Sequence, residues 1–243
     1  MKAVSRAICA VGLAWLSGMA ASAACVEVAA DGRLVMADGA GFHVADVRMP
    51  WSGPVARRAR GVLGTACEAG AVADRVEAAR DWRGAAYARL RFATRDGGVA
   101  DVSEVLLREG LARYAPRTRG DHAELLAAED MARAQARGLW SDPDHAVRGP
   151  GPDALMQVLE SWQIVRGLVV AAEARRGTVF LNFGSDWRTD FTVAVPKGVA
   201  EAMAEPPDAL AGARVEVRGF VESVNGPAMW LRHPGQLRVV EPE

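Results

Sequence analysis

The chain runs to 243 residues, half of them apolar, with 29 basic against 30 acidic side chains and a formal net charge of −1. That length and apolar content can build a core for one large domain or two small ones. The balance excludes the global basic excess on which sequence-independent nucleic-acid binders rely: residues 26–142 hold 17 basic and 17 acidic side chains, and residues 150–243 hold 9 and 12.

Residues 1–23 read as a secretory signal. Lys2 and Arg6 form its charged start, Ala7 to Ala20 is an apolar stretch too short to span a bilayer comfortably, and Ala21-Ser22-Ala23 is a small-residue cleavage site. The alternatives are an anchor helix that stays, or a lipoprotein acylated on Cys25, for which Ser22 stands where Leu is preferred. No later stretch is long and apolar enough for a second span. The expectation is therefore a periplasmic or secreted protein with no stable membrane span once the signal is removed. Cys9 leaves with the signal, so the mature chain keeps Cys25 and Cys67. In an oxidising compartment two such thiols are expected to pair; the alternative is two buried free thiols. Metal binding by them is poorly supported, because no His lies at zinc spacing.

In chain order, strands are expected at Val26–Ala30 and Arg33–Met36, with Asp38-Gly39 closing a hairpin onto a strand at Phe42–Val47. Pro54 suits the first turn of a helix running to Cys67, with Ser52 as its cap and Val55, Ala59, Val62, Leu63 and Ala66 on one face. Strands follow at Val72–Ala79 and Ala86–Ala93, the second with Tyr87, Arg89 and Arg91 on one face. Asp96-Gly97-Gly98 turns the chain into a helix that carries Val102, Val105 and Leu106 and ends at Gly110. A last helix spans Asp121 to Arg137 and buries Leu125, Leu126, Ala128, Met131 and Ala132, with Gly138 stopping it.

Residues 141–153, with three prolines and two glycines, read as a linker. A short helix at Ala154–Ser161 is expected next, then strands at Gln163–Ala171, Val179–Phe183 and Phe191–Val195. After a helix around Gly198–Ala204, a hairpin of Arg214–Ser223 and Ala228–Arg232 turns at Asn225-Gly226, and Leu237–Val240 closes the set.

Three stretches carry a family resemblance. Residues 37–51, a hairpin tip and strand running into Arg48-Met49-Pro50-Trp51, have the frame of a strand that enters an Asp-x-Pro-Glu loop. Leu106-Leu107-Arg108-Glu109-Gly110-Leu111-Ala112 looks like an "LVxxGLA" helix end, and Ala127 to Arg133 followed by Gly138-Leu139-Trp140 looks like an "AExxAR…GLW" ending. Together they resemble the staphylococcal-nuclease-like (thermonuclease) family. The resemblance implies a mainly β fold with packed helices (α+β), an OB-type barrel with three helices over residues 24–142. After the linker at 143–153, residues 154–243 resemble a second small OB-like barrel, on the segment Phe180 to Val193.

The family cuts phosphodiesters with a calcium ion held by two Asp, with two Arg on the phosphate, and with one Glu that orients water. Carried over position by position, the first Arg falls on His43, a calcium Asp on Arg48, the Glu on Trp51 and the second Arg on Ala85. The other calcium Asp meets Asp31 only after a one-residue slip, which swaps strand faces. An Arg in place of Asp introduces a repulsion of roughly 4 kcal/mol per unit-charge pair at about 4 Å. Asp46, with Arg83, Arg89 and Arg91, is the material for a relocated site, although solvated strand edges explain these charges more simply. The second barrel concentrates Phe180, Phe183, Trp187, Phe191 and Trp230 with Arg188 and Arg232. Either Trp187, Arg188, Trp230 and Arg232 form a ligand surface, or the Phe residues are core and Asn182, Asp186 and Asp190 shape a tight loop at Gly184.

The reading is an exported, catalytically inactive nuclease homologue acting as a binding or interaction module for an unidentified envelope partner, with no cofactor. The alternatives are a calcium-dependent endonuclease with a relocated site, and a non-cleaving binder of nucleic acid or glycan, the former not favoured by charge.

Overall fold

The computed structural model describes residues 23–120 and 122–241. The expected signal segment up to residue 22 and the expected helix start at Asp121 lie outside the described residues. No helix among those described is long and apolar enough to cross a membrane.

The first half opens with a meander of β1 (Cys25–Val28), β2 (Leu34–Met36) and β3 (Gly41–Val44). After β4 (Val47–Arg48) come α1 (Gly53–Glu68), β5 (Val72–Arg80), β6 (Ala86–Ala93) and β7 (Val99–Asp101). Then follow α2 (Val102–Arg108), β8 (Arg113–Tyr114) and α3 (Ala123–Ala134). The main sheet has the order β1-β2-β3-β6-β5, with β3 and β6 parallel and β7 on the side of β6. This is the strand order of an OB-type fold, but no ladder joins β1 to β5, so the expected barrel is open there. A backbone hydrogen bond from Cys25 to Ala71 (2.8 Å) and the disulfide Cys25–Cys67 bridge that gap.

Local chemistry explains the departures from the expected boundaries. The strand expected to reach Val47 breaks at Asp46, whose φ of 60° turns the chain so that β4 pairs with β8 instead. Ser52 occupies the N-cap of α1 but its side chain makes no capping bond, whereas Asp101 caps α2 through the N–H groups of Ser103 and Glu104. Gly110 and Gly138, the glycines of the two helix-end motifs, pack backbone to backbone. A Cβ on either would meet a carbonyl oxygen of the facing segment at 2.2 Å, which only glycine avoids. In α3 Met131 is exposed rather than buried, and Glu129 is fully buried in its stead. An ionic partner across the molecule, described below, draws the carboxylate inward.

The second half contains α4 (Pro152–Met156), β9 (Trp162–Leu168), β10 (Ala171–Arg175), β11 (Thr178–Asn182), β12 (Thr192–Pro196) and α5 (Lys197–Ala200). It ends with β13 (Arg214–Phe220), β14 (Glu222–Ser223), β15 (Pro227–Trp230) and β16 (Leu237–Val239). One sheet runs β10-β11-β12-β15-β14 with β12 parallel to β15, and a second runs β16-β13-β9. The chain bends from one sheet into the other between β9 and β10 and between β13 and β14, wrapping both around a core that includes Leu181, Phe191, Val193, Val215, Val217 and Met229.

The segment expected to be a linker is fastened down. The Arg148 N–H donates to Ile164 O and the Arg166 N–H donates to Arg148 O, both at 2.9 Å. The apolar clusters of the two halves are separate, and charge joins them. Buried Glu216 on β13 accepts from Arg133 (2.8 Å), Arg166 (3.1 Å) and Arg218 (2.6 Å) and forms an ion pair with Arg238 (3.0 Å). Arg218 also reaches Glu129 on α3 at 2.7 Å, and Arg238 reaches Asp130 at 2.7 Å. These guanidinium groups hold the Glu216 carboxyl far below its ordinary pKa against the opposing pull of burial.

Candidate functional site

Of the positions on which the resemblance places the nuclease machinery, Asp31, His43, Arg48 and Trp51 line a cleft of about 490 Å³ between β3, β4, the loop into α1 and the loop at 81–84. His43 on β3 lies directly opposite Tyr87 on β6, and the two rings stack with centroids 5.2 Å apart. Its Nε2 meets the Asp81 carboxylate at 2.9 Å, and this hydrogen bond holds the Asp81 carboxyl below its ordinary pKa. Asp81 also accepts from the N–H groups of Arg83 and Ala85, so it shapes its own turn. Ala85 is buried behind that turn, while Arg83 from the same loop enters the cleft and stacks on Trp82 at 4.4 Å.

Asp31 also faces the cleft, but Arg33 (2.7 Å) and Arg83 (3.0 Å) grip the same oxygen. Burial, the largest single influence on Asp31, pushes its pKa up. The hydrogen bonds and charge of Arg33 and the charge of Arg83 outweigh it, leaving the carboxyl below its ordinary value.

Arg48 stands on β4 with its guanidinium 4.8 Å from the Phe220 ring and 5.9 Å from the Trp162 ring. Phe220 and Trp162 are cross-strand partners on β13 and β9, so the second half supplies the aromatic seat of this charge. Burial, with the nearby charge of Arg117, lowers the Arg48 pKa without bringing it near neutrality. Arg117 lies over Tyr87 at 4.1 Å, and Arg60 comes in from α1. Trp51 and Trp82, 80% and 85% exposed, flank the mouth.

Asp46 is absent from the cleft. It is fully buried, and its carboxylate accepts from the backbone N–H groups of Arg117 (2.7 Å) and Thr118 (2.8 Å) and from the Thr118 hydroxyl. Arg89, expected on a solvated edge, is buried too, on Asp101 at 2.8 Å. Calcium needs six to eight oxygen ligands. Among the described residues no group of three His, Cys, Asp or Glu side chains converges for a metal. With Asp31 committed to two guanidinium groups and the Arg48 cation lining the same cleft, these residues do not fit the ion.

Of the second candidate surface, Trp187 and Trp230 line one pocket, Arg188 sits on Trp187 at 4.6 Å, and Arg232 lines a different cavity between the halves. Phe183 and Phe191 are core, whereas Phe180 faces the pocket. Sequence reasoning missed Arg60 and Arg117 as cleft residues and Phe220 and Trp162 as the ring partners of Arg48. Nothing in spacing or pattern marks them, because they arrive from a helix face, a loop and the other half of the chain.

Residues 56–142 match the family model described as staphylococcal nuclease homologue, a span that starts after the β1–β2 turn carrying Asp31 and the strands carrying His43 and Arg48. No curated protein matches the chain. The strand order, the paired motif glycines and this match agree that the chain carries a staphylococcal-nuclease-like domain.

Proposed function

We propose that this protein is an exported binding module on a nuclease scaffold, and that its cleft holds a polyanionic strand, single-stranded nucleic acid, without cutting it by the scaffold's calcium mechanism. The observation that carries this reading is Arg48, a half-buried cation seated on two aromatic rings and facing the cleft where that mechanism needs a carboxylate. Arg60, Arg83 and Arg117 add positive charge around the same cavity, and exposed Trp51 and Trp82 offer faces on which bases stack. The near-neutral net charge averages over the surface and hides this local group. The disulfide supports export, since such bonds persist in oxidising compartments.

The test is incubation of purified protein with single- and double-stranded DNA and RNA, with calcium and with chelator, beside an anisotropy titration of a single-stranded oligonucleotide. No turnover and salt-dependent binding are expected. Arg83→Ala and Arg117→Ala should each weaken binding and flatten the log–log salt slope by about 0.7. Chelator-sensitive cleavage that disappears in Asp31→Ala would overturn the reading, and lack of binding at low salt would remove nucleic acid from it.

A further inference from the structure

The second half carries a pocket of about 310 Å³ on the face of its larger sheet, unrelated to the cleft and sharing no lining residue with it. Its floor follows from strand register. Glu173, Phe180, Ala194 and Trp230 sit side by side across β10, β11, β12 and β15, and Asn182, Thr192 and Ala228 form the adjacent row. Small Ala194 between the Phe180 and Trp230 rings leaves a trough, and small Ala228 extends it. Phe180 and Trp230 meet edge to face at 6.3 Å, which fixes both rings.

One wall is Trp187, on the loop that joins β11 to β12. That loop is tightly built: the Asp186 N–H donates to Asp190 at 2.7 Å, and a Cβ on Gly184 would meet the Asp190 carboxylate at 2.0 Å. Trp187 is thus held in place while 47% exposed, and it lines the same pocket as Trp230, which is 38% exposed.

Two further observations define what fits. Among the described residues the charged side chains lining the pocket are Glu173 and Arg175, which pair at 2.8 Å, and Arg188, stacked on Trp187 at the edge, lies 3.8 Å from Asp186, so the charges around the pocket balance. Asn182 is 8% exposed and accepts from the Thr192 hydroxyl at 3.1 Å; the other end of its amide has no partner among the described residues. Whichever way the amide is turned, one polar end is left for the cavity.

We infer that this pocket binds an uncharged pyranose unit of a saccharide. Such a ring has an apolar C–H face for a Trp and a rim of hydroxyls for Asn182, Thr192 and the Glu173–Arg175 pair. The volume stands at the lower end of small-molecule pockets, which is right for one or two rings and too small for a folded partner. A nucleobase would also stack, but each one brings a phosphate, and a neutral lining gives that phosphate no cationic track.

The experiment is calorimetric titration of the purified protein with maltotetraose, cellotetraose and chitotetraose, and with an oligothymidylate for comparison. At least one tetrasaccharide should saturate, and Trp187→Ala, a change at an exposed loop side chain, should weaken it by about tenfold. Asn182→Ala should weaken it by several fold. The inference fails if no tetrasaccharide saturates up to about 10 mM, or if Trp187→Ala binds as tightly as the parent. It fails equally if the oligothymidylate alone binds in a Trp187-dependent way, which would make this a base pocket. Because pocket and cleft are disjoint, loss of either reading leaves the other standing.

Discussion

Asp46 and Asp31 lie in the same half of the chain, yet their carboxylates do opposite things. Asp46 sits in a left-handed turn, sealed from solvent, and holds the segment that aims Arg117 at Tyr87. Asp31 is partly exposed and only balances two arginines. Asp46→Ala strands two backbone N–H groups and a hydroxyl, so it should cost about 3 kcal/mol or more of folding stability. Asp31→Ala should cost under about 1 kcal/mol, since exposed pairs contribute little. Urea denaturation of both variants checks this, and an Asp46→Ala midpoint equal to that of the parent would remove the anchoring role. For the same reason Asp31→Ala, not Asp46→Ala, is the informative variant in a cleavage assay.

Among elements, the first half depends on how β1 is held. Without a ladder to β5, the strand is tied at its start by the Cys25–Cys67 bond to the end of α1. The closed loop spans 42 residues, and constraining it in the unfolded chain is worth about 4 kcal/mol in the loop-entropy account. Thermal unfolding with and without reductant, and of a Cys25→Ser, Cys67→Ser double variant, should show that loss. Melting temperatures that coincide would mean that the Cys25–Ala71 hydrogen bond and apolar packing suffice. Helix α3 gives the complementary case. Periodicity foresaw a buried stripe and placed Met131 on it, but Glu129 faces inward because Arg218 and the Tyr114 N–H wait for its carboxylate.

Across the whole molecule, the halves meet through groups that titrate at different pH. His233 donates from Nε2 to Thr118 O at 3.0 Å and accepts the Gly235 N–H at Nδ1, so the neutral ring is fully used. Burial lowers its pKa, against the Thr118 bond and the charges of Asp46 and Glu77. Burial and the charge of Arg113 also lower that of His145. Both groups are therefore neutral in the folded state at a pH where the unfolded chain is protonated. Their contribution is complete above about pH 6.5, the unfolded value, and is lost as pH falls through the depressed folded values. Unfolding free energy should accordingly drop between about pH 7 and 5, with a shallower slope in His145→Gln and His233→Gln. A flat profile in the parent would contradict this. Glu216, whose pKa is depressed much further, keeps its contribution through that range and loses it only in stronger acid.

The strands, helices and hairpins were legible because their signals are local. Alternation marks a strand, Pro54 suits a first helical turn, Asn225-Gly226 makes a turn, and Gly110 follows the end of α2; α3, expected to run to Arg137, instead ends at Ala134, because Ala136 takes a left-handed φ of 47° before Gly138 is reached. The resemblance also places His43, Arg48, Trp51 and Ala85 at the nuclease positions, an expectation that rests on residue identity alone. Tertiary structure alone decided what those residues face. A cleft or an ionic interface forms between side chains far apart in sequence, and its strength depends on distance and burial, which no local pattern encodes. So Asp46 became an anchor, Arg89 an internal cation and Arg48 the guest of Phe220 and Trp162, while net charge gave no hint of arginines gathered around one cavity.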